Sequence, residues 1–310
     1  MSDLRITGIL CPHLTPFDDS GRVDESKLRA YVDWLIDCGV DGLFPNGSTG
    51  EGVRMPSEAR RDAARIVVDQ AAGRVPVVVG ACEANARATI EACHAYCEMG
   101  ARAVAVVAPY YFPLSPESIE AYFERIAGSV DIDLMLYNIP AFANAISVES
   151  VVKLATRCER IVGIKDSSGD VASMMRMIEA IRPAREDFSF LTGWDAALAA
   201  MVAIGVDGGT LASSGVVPEV TAKIFDAARR GDWDRAMGWQ RRLLPIFDAM
   251  VTAVEFPAGF RVGAAVRGWD LGPHQVDLNS RQRDALELRR QQLEEMVTGS
   301  LSELGGETHP

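Results

Sequence analysis

The chain has 310 residues, of which 48% are hydrophobic, 24% charged and 7% aromatic; this is a globular composition, and it excludes a disordered, collagen-like or disulfide-scaffold chain. The formal charge is −12 and no Lys/Arg cluster exceeds short pairs such as Arg229-Arg230, so no nucleic-acid-binding face is expected. No apolar run approaches the ~18 residues of a membrane span, and Met1-Ser2-Asp3-Leu4-Arg5 lacks a signal-peptide pattern, so the expected location is the cytoplasm.

Along the chain, short apolar runs alternate with longer amphipathic stretches about every 25 to 30 residues, the size of a βα unit. Strands are predicted over residues 6–10, 42–45, 76–80, 103–109, 132–138, 161–165, 188–192 and 208–212. Their interiors are continuous apolar runs, the mark of parallel strands covered on both faces. Helix starts fall between them. Asp24-Glu25-Ser26-Lys27 opens a helix that Gly39 ends, and Pro56-Ser57-Glu58 opens another with Gly73 past its end. Ser115-Pro116-Glu117, Ser147-Val148-Glu149 and Val217-Pro218-Glu219 repeat the device. Eight strands, each followed by a helix, predict an α/β fold of the (β/α)8 TIM-barrel type over residues 1–230. A doubly wound sheet fits less well, because the first turn lacks a G-x-G-x-x-G fingerprint. Residues 231–310 carry no strand pattern and predict a C-terminal helical extension, with helices over 233–254 (containing Pro245), 258–266 and 280–297 and a frayed polar tail from 298 to 310.

Six cysteines are present and none forms a CxxC pair. Cys93-His94-x-x-Cys97 shares a helix face, but it lies between small and apolar residues, so these read as buried free thiols rather than metal ligands.

In a barrel the chemistry sits at the C-terminal ends of the strands. After the second strand, Asn46-Gly47-Ser48-Thr49-Gly50-Glu51 offers two hydroxyls and glycine-freed N–H groups able to hold a carboxylate or phosphate; a plain Gly-rich turn has the same composition. The fifth strand ends in Tyr137-Asn138-Ile139-Pro140, with a phenol at the barrel mouth or in the core. The sixth ends in Gly163-Ile164-Lys165-Asp166. Only four of the 31 basic residues are lysines, and Lys27, Lys153 and Lys223 lie in amphipathic helix patterns. Lys165 alone closes an apolar strand, where burial disfavours an ammonium and leaves an amine nucleophilic toward carbonyls; a lysine snorkelling at the rim is the bland alternative. The seventh strand ends in Thr192-Gly193-Trp194-Asp195. The eighth gives Gly208-Gly209-Thr210-Leu211-Ala212-Ser213-Ser214-Gly215, either a phosphate cradle or glycine-made room for a substrate. An anion-binding loop, a tyrosine, a lysine and a polar Gly-rich floor together suit Schiff-base catalysis on a 2-oxo acid, with no cofactor or metal.

These motifs, from Gly8 to about Pro273, resemble the dihydrodipicolinate synthase / N-acetylneuraminate lyase family of pyruvate-dependent class I aldolases. The resemblance implies that Ser48 and Thr49 bind the pyruvate carboxylate, that Tyr137 relays protons and that Lys165 forms the Schiff base. It implies that Tyr111, of the Tyr110-Tyr111 pair, reaches into a neighbouring subunit's site, and that Gly193, Asp195 and Thr210 meet substrate. A homotetramer built as a dimer of dimers follows from the same resemblance. Lysine-pathway members carry an arginine where Phe142 stands, and a phenyl ring makes no bidentate carboxylate contact. Sialic-acid lyases carry a glutamate where Ala196 stands. Phe256-Pro257-Ala258-Gly259-Phe260 and Arg267-Gly268-Trp269 resemble sugar-acid branches. The expected substrate is therefore a 2-keto-3-deoxy sugar acid or similar hydroxylated 2-oxo acid, cleaved to or built from pyruvate and an aldehyde. A dihydrodipicolinate synthase and a non-catalytic 2-oxo-acid-binding barrel are the alternatives.

Overall fold

The computed structural model describes residues 5–306; the expectations for residues 1–4 and 307–310 lie outside the described residues. Eight parallel strands run in chain order as β1 (Gly8–Cys11), β2 (Gly42–Leu43), β3 (Val78–Ala81), β4 (Ala103–Val107), β5 (Leu134–Asn138), β6 (Ile161–Asp166), β7 (Ser189–Thr192) and β8 (Gly208–Thr210). They pair in the order β2-β1-β8-β7-β6-β5-β4-β3, and a parallel bridge between Leu43 and Val77 joins the two edges into a cylinder. Helices α1 (Glu25–Asp37), α2 (Ser57–Ala71), α3 (Ala86–Glu98), α4 (Pro116–Ala127), α5 (Val148–Arg157), α6 (Val171–Ile181), α7 (Leu198–Ala203) and α8 (Pro218–Arg229) alternate with the strands. This is the (β/α)8 barrel expected from the pattern.

Three of the five start signals act as capping predicts, while α2 and α8 begin at Pro56 and Val217 without a side-chain cap. Asp24, Ser115 and Ser147 each accept a hydrogen bond from the N–H three residues on, closing the first turns of α1, α4 and α5. Asn85 and Asp170 do the same for α3 and α6.

Side chains alternate along the strands with period two. Leu10, Phe44, Val78, Ala103, Ala105, Met135 and Leu191 pack with Ile6 inside the cylinder. Ile9, Cys11, Val79, Val104, Val106, Leu136, Ile164 and Phe190 face outward into the layer shared with the helices. Two residues beyond the inner cluster on β4 and β5 come Val107 and Tyr137, which form a separate layer with Ile139 at the barrel mouth. Lys165 is level with Tyr137 in the β5–β6 register.

Three further helices follow the barrel: α9 (Trp233–Val251), which continues through Pro245, α10 (Ala258–Val266) and α11 (Ser280–Gly306). The tail predicted to fray from residue 298 is instead helical to Gly306. Leu293 and Val297 are buried, Ser300 is buried, and Leu301 and Leu304 pack on the core, so an apolar stripe at helical spacing continues under a polar composition. One hydrophobic cluster joins the barrel helices to these three.

All six cysteines are free. Cys93 is buried, and burial pushes its thiol up to about 12, while His94 on the same helix is exposed. Among the described residues no group of three or more His, Cys, Asp or Glu is placed to hold a metal ion, and no helix is long and apolar enough to cross a membrane.

Candidate active site

Strands β5 and β6 pair with Tyr137 opposite Lys165 and Asn138 opposite Asp166. Because residues in register on parallel strands share a face, Tyr137 and Lys165 both point into the barrel and Asn138 and Asp166 both point out. The outward pair is a hydrogen-bonded clamp. Asn138 Nδ2 donates to Asp166 Oδ1 at 2.8 Å, Ser168 Oγ donates to Asp166 Oδ2 at 2.8 Å, and Ile146 N–H donates to Asn138 Oδ1 at 3.0 Å. Burial pushes the Asp166 carboxyl up from the ordinary range against these bonds.

Lys165 is 4% exposed. Its Nζ lies 4.0 Å from the Tyr137 ring centroid and 4.5 Å from that of Phe44, and no carboxylate of the described residues pairs with it. The rim-snorkelling alternative therefore does not apply. Lys27, Lys153 and Lys223 lie on helices α1, α5 and α8, outside the barrel. Gly193 makes room for the Lys165 stem. A Cβ there would stand 3.2 Å from Lys165 Cε and 2.0 Å from Ser167 Oγ, so any side chain would displace the lysine or the serine.

The loop after β2 folds back over β3. Asn46 adopts a left-handed φ of 61°, and Gly80 beneath it would bring a Cβ within 2.8 Å of the Asn46 carbonyl. The fold-back brings Ser48 Oγ to 3.2 Å from Tyr137 Oη. Among the described residues the Ser48 and Thr49 amides donate to no carbonyl or side chain, so two adjacent N–H groups are available for an anion. Thr49 itself is buried in the loop.

Glu51 closes this loop, buried, and the C-terminal helices hold it. Arg261 of α10 donates to Glu51 Oε1 at 3.2 Å and to the Thr15 carbonyl at 3.0 Å, and to the carbonyls of Leu271, Gly272 and Pro273 at 2.6, 3.0 and 3.1 Å. Arg54 Nη1 reaches Glu51 Oε2 at 2.9 Å from the rim.

A cavity of about 400 Å³ opens at this end of the barrel. Ser48 and Tyr137 line its inner part; Val53, Arg54, Phe142, Glu255 and Phe256 line it near solvent. Cys82 lines it too, but burial pushes its thiol up to about 12, so it is chemically quiet near neutral pH. Thr210 faces inward in register with Leu10, buried, with an Oγ1 that makes no hydrogen bond within the protein. Asp195 is buried, and its Oδ1 accepts the Ser213 N–H at 2.7 Å. The Ser213 N–H of the turn after β8 is thus already taken by a carboxyl of the chain's own, which disfavours the phosphate-cradle reading of residues 208–215. Tyr111 is 88% exposed with a φ of 77°, packed edge-on against Phe112 and outside the cavity of its own chain.

Sequence reasoning missed Arg261, Arg54 and Glu255. Arg261 did leave a signal, a lone arginine inside the apolar helix Ala258-Gly259-Phe260-Arg261-Val262. Arg54 and Glu255 left none, since surface loops everywhere carry such residues.

Residues 5–292 match the sequence profile of the dihydrodipicolinate synthetase family. The chain belongs to that family. It is 38% identical over 241 residues (77% of this chain, 80% of the relative) to YagE of Escherichia coli K12, provisionally named a 2-dehydro-3-deoxy-D-gluconate aldolase. It is 32% identical over 294 residues (94% and 97%) to a 4-hydroxy-tetrahydrodipicolinate synthase of Methanopyrus kandleri. The crystal structure of YagE in complex with pyruvate superposes with a TM-score of 0.87 at 33% identity, covering 95% of this chain and 98% of that one. The dihydrodipicolinate synthase of Aquifex aeolicus superposes at 0.88 with 26% identity, covering 94% and 98%. Like the dihydrodipicolinate synthetase family at large, the chain is a pyruvate-dependent lyase, a class I aldolase on a TIM barrel.

Proposed function

We propose that the enzyme cleaves and forms the C–C bond between pyruvate and a hydroxylated aldehyde, with a 2-keto-3-deoxy sugar acid or similar hydroxylated 2-oxo acid as the joined form. The observation that carries the chemistry is Lys165, inward and unpaired beside Tyr137, whose phenol meets Ser48 at the edge of the free-amide loop. In the synthetic direction the Lys165 amine adds to the pyruvate ketone, and loss of water leaves an iminium. The carboxylate rests on the Ser48 and Thr49 amides. Tyr137, left as a phenolate after protonating the departing water, takes a proton from the methyl carbon to give the enamine, whose carbon attacks the aldehyde. The aldehyde oxygen takes its proton from the Tyr137 phenol, and water then hydrolyses the new iminium and returns the amine. Cleavage runs these steps in reverse. Gly193 leaves space for the lysine, Thr210 and Asp195 lie buried behind the cavity lining, where Asp195 holds the turn after β8, and Tyr111 completes a partner's site in a cytoplasmic homotetramer.

The aldol reading is supported by YagE and by Phe142, which offers no guanidinium to a second carboxylate. The test is intact mass and peptide mapping after pyruvate and borohydride. We expect one pyruvate-sized addition on the peptide holding Lys165, none in Lys165→Ala, and an adduct with turnover slowed by about 10²–10⁴ in Tyr137→Phe. No adduct, or an adduct on another lysine, overturns the mechanism. Turnover of aspartate semialdehyde in preference to hydroxylated aldehydes would make the enzyme a synthase instead.

A further inference from the structure

We infer that Arg54 and Glu255 read the hydroxyl groups on the distal half of the substrate; the inference rests on the sugar-acid reading above. A hydroxyl both donates and accepts, so a surface that reads a polyol needs donors and acceptors side by side, whereas one that reads a second carboxylate or a phosphate needs donors alone. The cavity rim has both. Arg54 uses Nη1 on Glu51 Oε2, and Glu51 is already paired with Arg261 at 3.2 Å, so two guanidinium groups share one carboxylate. The remaining Arg54 donors border the cavity. Glu255, in the segment between α9 and α10, supplies the acceptor. Its Oε1 takes a bond from Gln282 Nε2 at 3.3 Å, which steadies the side chain and leaves its other oxygen for a ligand.

In the same cavity lining as Arg54 and Glu255, the Phe142 and Phe256 rings pack with centroids 5.7 Å apart and a tilt of 49°. They form an apolar wall suited to the C–H side of an extended sugar chain, so the two faces of the substrate are read separately. The opposite signs of Arg54 and Glu255 also make the rim a poor site for an anionic tail, because Glu255 repels what Arg54 would attract.

The experiment compares aldol addition of pyruvate to glyceraldehyde and to propanal, two aldehydes of equal carbon count that differ in hydroxylation. The wild-type enzyme should favour glyceraldehyde in kcat/KM. Glu255→Ala, Glu255→Gln and Arg54→Gln should each lower the glyceraldehyde-to-propanal ratio by about tenfold, mainly through KM for glyceraldehyde. Borohydride trapping of pyruvate on Lys165 in each variant shows that it has folded. Full preference for glyceraldehyde in all three variants would overturn this inference alone. A wild-type enzyme that traps pyruvate yet uses propanal as well as glyceraldehyde would overturn the sugar-acid reading and this inference with it.

Discussion

Lys165 is positioned by what surrounds it: the rings of Phe44 and Tyr137 on one side and the missing side chain of Gly193 on the other. Gly193→Ala should therefore cut turnover well beyond tenfold, since a methyl group would press on the lysine stem, and slower borohydride trapping would report it. A second single residue contributes to stability against pH. His13 is buried, its Nδ1 lies 3.0 Å from the Leu14 carbonyl and its Nε2 makes no hydrogen bond within the protein. Burial pulls its pKa down from 6.5 to about 4. Between those values the unfolded chain takes up a proton that the folded one refuses, so stability is full above pH 6.5 and falls as pH drops toward 4. The share lost by pH 5 is about 2 kcal/mol. Urea unfolding at pH 7 and pH 5 should show that much less loss in His13→Asn than in the wild type; equal losses would place the acid sensitivity elsewhere.

At the scale of the element, β5 and β6 act as one unit whose outer face sets its inner face. The Asn138–Asp166 clamp fixes the register, and a slip of one residue would turn Tyr137 and Lys165 out of the barrel together. Asp166→Ala removes the acceptor of Asn138 and of Ser168 and should cost about 1–3 kcal/mol. Its kcat should fall as well, although Asp166 faces away from the cavity. A variant that loses stability but keeps kcat would show that the strands hold their register without the clamp.

On the scale of the whole molecule, α10 ties the C-terminal helices to the catalytic end of the barrel. One Arg261 guanidinium serves five acceptors spread over residues 15, 51 and 271–273. Arg261→Met leaves Glu51 buried with only the rim residue Arg54 as partner and should cost about 3–5 kcal/mol. Because Glu51 ends the loop that presents Ser48 and Thr49, KM for pyruvate should rise too. Arg261→Lys should not rescue either effect, since one ammonium cannot span that fork of carbonyls. Rescue by lysine would mean that charge alone, and not the fork, holds the loop.

The sequence by itself determined the barrel and put a lysine and a tyrosine at the ends of its sixth and fifth strands, leaving the direction of each open. These rest on local physics: apolar runs for strands covered on both faces, capping residues at helix starts, and the rarity of a lysine closing an apolar strand. It also carried the family, because four short motifs recur in order at strand spacing. It misjudged the end of α11, where glycine, serine and threonine outnumber a thin apolar stripe, and it left the turn after β8 open between two roles. Only the tertiary structure decided those matters, together with the pairing of Ser48 with Tyr137, the anchoring of Glu51 by Arg261 and the opposite charges at the cavity rim. Each joins residues far apart in the chain, such as 51 with 261, and a contact made by folding leaves no periodicity to read in either segment.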